Sequence, residues 1–152
     1  ALTACDPQRI SELQPGVSTE ADVRDRFGAP ENVWDEPGGA RTFEYNRQPA
    51  GRVNYMITLG ADGKLVGVRQ VLTPENFARV QPGQHMDEVR RLLGKPAKVT
   101  PYELKKETWA DWRYLEAPNQ SKVFTVVYGP DQFVLRTQTG ADMDAPEFKG
   151  GK

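Results

Sequence analysis

The chain has few of the side chains that do chemistry. Its 152 residues include one cysteine, Cys5, and one histidine, His85. A single cysteine excludes an intrachain disulfide, so the fold needs none even if the chain is exported. No Cys/His cluster has metal-ligand spacing, and His85 reads as the start of a helix. The serines are Ser11, Ser18 and Ser121, and none lies in a nucleophile-elbow motif. The glycines mark turns and helix stops, with no phosphate-binding loop among them. No apolar run approaches the roughly 20 residues that a membrane-spanning helix needs. Neither sign of charge dominates: 20 basic and 21 acidic side chains leave a net charge of −1. That balance gives no electrostatic case for nucleic acid. Charged runs such as Glu103-Leu104-Lys105-Lys106-Glu107 read as a solvated face. These absences lead us to expect a non-catalytic protein with no metal or cofactor.

What is present is ordinary globular composition, 38% hydrophobic and 27% charged, written twice. Leu13-Gln14-Pro15-Gly16 recurs as Val80-Gln81-Pro82-Gly83. Val23-Arg24-Asp25-Arg26-Phe27-Gly28-Ala29-Pro30 recurs as Val89-Arg90-Arg91-Leu92-Leu93-Gly94-Lys95-Pro96. The period is about 67 residues, too long for a solenoid and consistent with a duplicated small domain. Upstream, Asp6-Pro7 lies over Thr73-Pro74, and each reads as an N-cap followed by Pro at the first helical position.

Each copy predicts two short helices. The first runs from Pro7 to Leu13, and again from Pro74 to Val80, and a Pro-Gly turn stops it. The second starts near Thr19, with Asp22 completing an imperfect capping box. It ends at Gly28 before Pro30; in copy two the stops are Gly94 and Pro96. Strands follow. Val53, Tyr55, Ile57 and Leu59 alternate with Asn54, Met56 and Thr58, Asp62-Gly63 signals a tight turn, and Lys64–Leu72 returns. An earlier strand covers Arg41–Arg47. The matching strands of copy two are Thr108–Glu116, Lys122–Tyr128 and Gln132–Thr139. The segments Glu36–Ala40 and Ala117–Gln120 read as loops. The expected fold is therefore α+β: two tandem helix–helix–sheet units, each with three or four antiparallel strands, packed together. The expected boundaries are 6–72 and 73–139, with a disordered polar tail over 140–152.

The N-terminal run Leu2-Thr3-Ala4-Cys5 resembles a bacterial lipobox, in which small residues precede a cysteine that receives the lipid. On that reading residues 1–5 are a signal-peptide remnant and lipobox, and Cys5 is the lipidation site. Repeat one begins at Asp6, so an anchored domain would lie against the bilayer. Several acyl chains, at ~0.8 kcal/mol per buried CH₂, would hold it there permanently.

The helix motif Gly83-Gln84-His85-Met86-Asp87-Glu88-Val89 through Leu93-Gly94-Lys95-Pro96, followed by Trp112-Arg113-Tyr114 and a hairpin, resembles the BamE-like (SmpA/OmlA) family. Copy one offers Gly16 to Pro30 and then Phe43-Glu44-Tyr45. The resemblance covers Asp6 to Thr139. It implies a small envelope lipoprotein facing the periplasm, with outer-membrane assembly machinery or another envelope protein as partner. The tandem arrangement is similar to the secreted β-lactamase inhibitor proteins, which implies an alternative: a module that grips a periplasmic enzyme through an aromatic sheet face. Three features depart from the family. Copy one has an extra residue between Gly16 and Val23, His85 replaces the usual Thr or Ser cap, and the unit is duplicated. Outer-membrane placement follows from the resemblance. Asp6, directly after the cysteine, resembles an inner-membrane retention signal and points the other way.

The aromatics are the remaining candidates for function. Trp34, Phe43, Tyr45 and Tyr55 fall in copy one, and Tyr102, Trp109, Trp112, Tyr114, Phe124 and Tyr128 in copy two. Most should be sheet core. Trp112 and Tyr114 share one face of their strand, and Trp109 faces the other way unless a bulge intervenes. Trp109 and Tyr102 are the surface candidates for a protein partner, with Trp112 and Tyr114 on the same strand as further partner-binding candidates.

Overall fold

A computed structural model describes residues 6–144. Cys5 and the lipobox lie outside the described residues, as does the chain from 145 on. The fold is α+β, with two four-stranded antiparallel sheets and four short helices among the described residues. Two compact units share the chain. One takes Tyr55–Gln70 with the chain up to Asn46; the other takes Arg47–Asn54 with the chain from Val71 on. The expected cut at Leu72-Thr73 therefore misses one exchange: the loop Arg47–Asn54 belongs with the second unit.

The first unit opens with α1 (Asp6–Ser11) and α2 (Glu20–Phe27). Helix α1 starts at Asp6 itself, whose carboxylate pairs with Arg9 at 3.1 Å. It is shorter than expected because tight i→i−3 bonds from Glu12 and Leu13 replace its last turn. The capping box of α2 is complete: Asp22 N donates to Thr19 Oγ1 (3.3 Å) and Thr19 N donates to Asp22 Oδ2 (2.9 Å). Gly28 ends the helix at φ +81°, a region that costs a side chain dearly. Strands β1 (Asn32–Asp35), β2 (Arg41–Asn46), β3 (Asn54–Leu59) and β4 (Leu65–Gln70) form the sheet in that order. Strand β1 was not expected, and a 3₁₀ turn at Pro37–Gly39 occupies the expected loop. Phe43, Tyr45, Tyr55, Ile57 and Leu59 are buried with Val23 of α2.

The second unit repeats this plan. Thr73 caps α3 (Pro74–Phe77), accepting from Asn76 N at 3.2 Å. This helix too is shortened by i→i−3 bonds, from Arg79 and Val80. His85 caps α4 (Met86–Leu93): its Nδ1 accepts from Asp87 N at 3.1 Å, and its own N–H donates to Glu88 at 3.3 Å. Gly94 ends α4 at φ +78°. The sheet runs β5 (Lys98–Tyr102), β6 (Glu107–Glu116), β7 (Gln120–Tyr128), β8 (Val134–Ala141). Strand β5, like β1, is a short edge strand absent from the sequence expectation. Strand β8 runs to Ala141, and Asp142 is buried (1% exposed). The expected tail at Gly140 therefore holds ordered residues through Asp144, because β8 pairs along β7 as far as Lys122↔Ala141.

The last carbonyls of α4 are satisfied by two buried asparagines. Asn54 Nδ2 donates to the carbonyls of Leu93 (2.8 Å) and Lys95 (3.0 Å). Asn76 Nδ2 donates to those of Val71 (2.9 Å) and Leu92 (2.7 Å). A helix leaves its final carbonyls without intrahelical partners, and buried ones must be bonded elsewhere. The core of this unit lies between helices and sheet, with Phe77 stacked on Phe124 (centroids 4.2 Å apart) and edge-on to Tyr114 (4.7 Å).

Candidate functional site

Strand β6 decides which aromatics meet solvent. Successive side chains alternate between its faces. Ala110, Trp112 and Tyr114 point to the helices and are 4%, 1% and 3% exposed. Trp109, Asp111 and Arg113 point away and are half-buried. Trp112 and Tyr114 are thereby removed as partner-binding residues. Trp112 donates its indole N–H to the Gly94 carbonyl at 3.1 Å, and Tyr114 packs against Phe77. Burial raises the Tyr114 phenol above its ordinary pKa. A bulge that would have drawn Trp109 inside is absent: β5–β6 and β6–β7 pair in unbroken register across Trp109.

The surface candidates are brought together. Tyr102 and Trp109 meet with ring centroids 5.0 Å apart in a T-shaped pair. Lys105 lies over both rings, at 5.7 Å and 5.6 Å, and the guanidinium of Arg136 lies 5.8 Å from the Trp109 ring. Glu107 ties the cluster. It accepts from Trp109 Nε1 (3.0 Å) and from Arg136 (3.1 Å). The Arg136 hydrogen bond, then that of Trp109, holds the Glu107 carboxyl below its ordinary pKa. Leu104, at the tip of the β5–β6 hairpin, is fully exposed. The result is an aromatic patch with cations over its rings.

Beside the patch, on the same face, the sheet forms a groove of about 430 Å³. Asp111, Arg113, Thr125 and Gln138 line it, Pro49 stands at one side and Asp142–Asp144 at the other. Its polar groups are set by bonds to one another. Thr125 Oγ1 donates to Asp111 (2.7 Å). Asp142 accepts from Arg113 Nε (2.8 Å) and Ser121 Oγ (2.7 Å), with Arg52 at 3.6 Å. Burial alone would raise the Asp142 pKa, but the bonds from Ser121, Arg113 and the Asp144 amide outweigh it and leave the carboxyl low. Where β5 stops covering β6, the Gln48 side-chain amide takes both backbone groups of Arg113, at 2.8 Å each.

The sequence expectation named Tyr102 and Trp109 and did not name Lys105, Arg136 or the groove. The i, i+2 run Trp109, Asp111, Arg113 was visible in the sequence. The other residues arrive from the β5–β6 turn (Lys105), from β7 (Thr125), from β8 (Arg136, Gln138) and from the Arg47–Asn54 loop (Pro49), and only the tertiary fold brings these together. Among the described residues no group of three or more His, Cys, Asp or Glu could hold a metal ion. No described helix is long and apolar enough to cross a membrane.

No protein-family profile matches the chain, and no curated protein matches it. Three solved structures do share similarity. One is a DUF4309 family protein (YjgB) from Bacillus subtilis, 21% identical, covering 90% of this chain and 86% of that one with a TM-score of 0.36. Another, from Streptococcus mutans, is described provisionally as a β-lactamase inhibitor protein; it is 10% identical, with 88% and 93% covered and a TM-score of 0.38. The third is an extracellular protein containing a SCP domain from Bacillus anthracis, 10% identical, with 93% of this chain but 48% of that chain covered and a TM-score of 0.35. At these identities and scores the likeness assigns no function to this chain. The resemblance to BamE-like proteins rests on the residues quoted for it.

Proposed function

We propose that this chain is a non-catalytic protein-binding module of the bacterial envelope, held at a membrane by a lipid on Cys5. Its docking surface is the open face of the second sheet. The observation that carries the reading is the Tyr102–Trp109 pair, 5.0 Å apart and overlain by Lys105 and Arg136. Aromatic and arginine side chains dominate binding energy at protein interfaces, and a rigid pair loses little entropy on docking. On the first reading the partner belongs to outer-membrane assembly or envelope integrity. The test is crosslinking in intact cells followed by mass spectrometry, with Trp109→Ala beside the native protein. Recovery of a barrel-assembly or envelope partner, plus a lipid on Cys5, supports the reading. A normal crosslink pattern in Trp109→Ala counts against the docking face.

A second reading is an inhibitor-like module that grips a periplasmic enzyme. The groove of about 430 Å³ beside the aromatics favours it, since a concave face suits a convex loop. Capture of a soluble hydrolase, and loss of that enzyme's activity on mixing, separates this reading from the first.

A further inference from the structure

The two units differ at one equivalent place. In the first unit Phe43 is fully buried on the helix side of β2, and the guanidinium groups of Arg24 and Arg41 lie over its ring at 4.9 and 5.3 Å. Glu20 bonds both arginines and closes the cluster. The matching positions in the second unit follow from strand register. Val33 pairs with Phe43 and Val99 pairs with Ala110; Asp35 pairs with Arg41 and Pro101 with Thr108. The helix starts align Glu20 with Met86 and Arg24 with Arg90. The second unit therefore has Ala110 in place of the phenylalanine, Thr108 in place of Arg41, and Met86 in place of Glu20.

A ring and a guanidinium are missing, and a crevice of about 220 Å³ stands in their place. Met86, Arg90, Val99, Ala110, Trp112 and Tyr128 line it. Val99 is 55% exposed at its mouth. Tyr128 is 2% exposed. Burial alone raises its pKa.

We propose that this crevice receives one aromatic ring, the side chain of a phenylalanine or tyrosine on a partner protein. The ring is indicated by the protein's own other copy, which fills the same position with Phe43 beneath the guanidinium of Arg24, the counterpart of Arg90. A protein side chain is indicated by size: sites for small molecules run to about 300–1,000 Å³, and this one is smaller. The crevice lies on the helix side of the sheet, opposite the Tyr102–Trp109 face, so either site can fail without the other.

The test is ¹H–¹⁵N NMR on the full chain, titrated with the blocked peptides acetyl-Gly-Phe-Gly-amide and acetyl-Gly-Leu-Gly-amide and with p-cresol. The Phe peptide is expected to shift the amides of Val99, Ala110 and Trp112 saturably, with the Leu peptide about tenfold weaker. Ala110→Phe supplies the missing ring and is expected to abolish these shifts with no loss of melting temperature. Should that variant fail to fold, Met86→Glu with Thr108→Arg rebuilds the first unit's charged lid from half-buried positions and is expected to abolish them as well. No shifts at these residues, equal shifts from the Leu peptide, or shifts that survive both closures would overturn the site. Binding of p-cresol without binding of the Phe peptide would overturn the assignment to a protein side chain.

Discussion

The indole N–H of Trp112 donates to the carbonyl of Gly94, the residue that ends α4, at 3.1 Å. In the other unit the hydroxyl of Tyr45 donates to Gly28, the residue that ends α2, at 2.8 Å. Different chemistry thus makes the same bond between sheet and helix end. It also sets the true alignment of the copies: Trp112 answers to Tyr45, so Phe43 answers to Ala110. The similar triplets Phe43-Glu44-Tyr45 and Trp112-Arg113-Tyr114 do not superpose.

Removing either bond while keeping an aromatic ring should weaken the unit that holds it. Trp112→Phe leaves the buried Gly94 carbonyl without this donor, at roughly 1–3 kcal/mol, and shrinks a buried indole to a phenyl, which adds a cavity cost. Tyr45→Phe deletes only a hydroxyl and should cost about 1–2 kcal/mol. Urea unfolding followed by circular dichroism measures both. A change within error for Trp112→Phe would mean that the carbonyl finds water instead.

Asn54 should be more sensitive than its position at the very start of β3 suggests. It is fully buried, donates to Leu93 and Lys95, and accepts from Arg47 N at 3.0 Å. Asn54→Ala leaves the end of α4 with unbonded carbonyls, and a loss of about 2–4 kcal/mol is expected in the same unfolding assay.

Asp142 should make stability depend on pH in acid. Its folded pKa is lowered from the ordinary 3.8, so its contribution is complete above 3.8 and is lost as pH falls through the folded value. Asp142→Asn is expected to cost about 3 kcal/mol at pH 7, because it removes the negative charge that the half-buried Arg113 and Arg52 pair with. The gap between native and variant should then narrow as pH drops below 3.8. Unfolding curves over pH 2–7 check this, and a gap that widens in acid would contradict it.

Trp109 should separate binding from folding. It is half-buried and makes one side-chain hydrogen bond, to Glu107. Trp109→Ala is expected to shift stability by less than about 1 kcal/mol. Partner affinity should fall by ~2 kcal/mol, roughly 30-fold, and Tyr102→Ala should fall less. Calorimetric melting and a pull-down titration of the partner identified by crosslinking report the two effects.

Much of the fold could be read locally. Thr19 with Asp22, Thr73 with Pro74, and Gly28 and Gly94 before Pro30 and Pro96 are caps and stops whose geometry depends on residues within a turn of each other. The hairpin at Asp62-Gly63 is of the same kind. The edge strands β1 and β5 escaped because four or five residues that include Asp35, or Lys98 and Pro101, carry no clear alternation. They become strands only by pairing with β2 and β6. The Arg47–Asn54 loop could not be assigned to the second unit from sequence, since its bonds reach to Leu93, Arg113 and Ser121.

By itself the sequence determined the duplication, the helix ends and the alternation that opposes Trp109 to Trp112. These are local properties, set by backbone sterics and by a period of two along a strand. Which of the two tryptophans faces the helices was not a local property. Tertiary packing decided it, because the Gly94 carbonyl needed a donor and only the Trp112 side of β6 could reach it. Packing also gathered Lys105 and Arg136 over Trp109, from a turn and from β8, and left at Ala110 the space that Phe43 fills in the other copy.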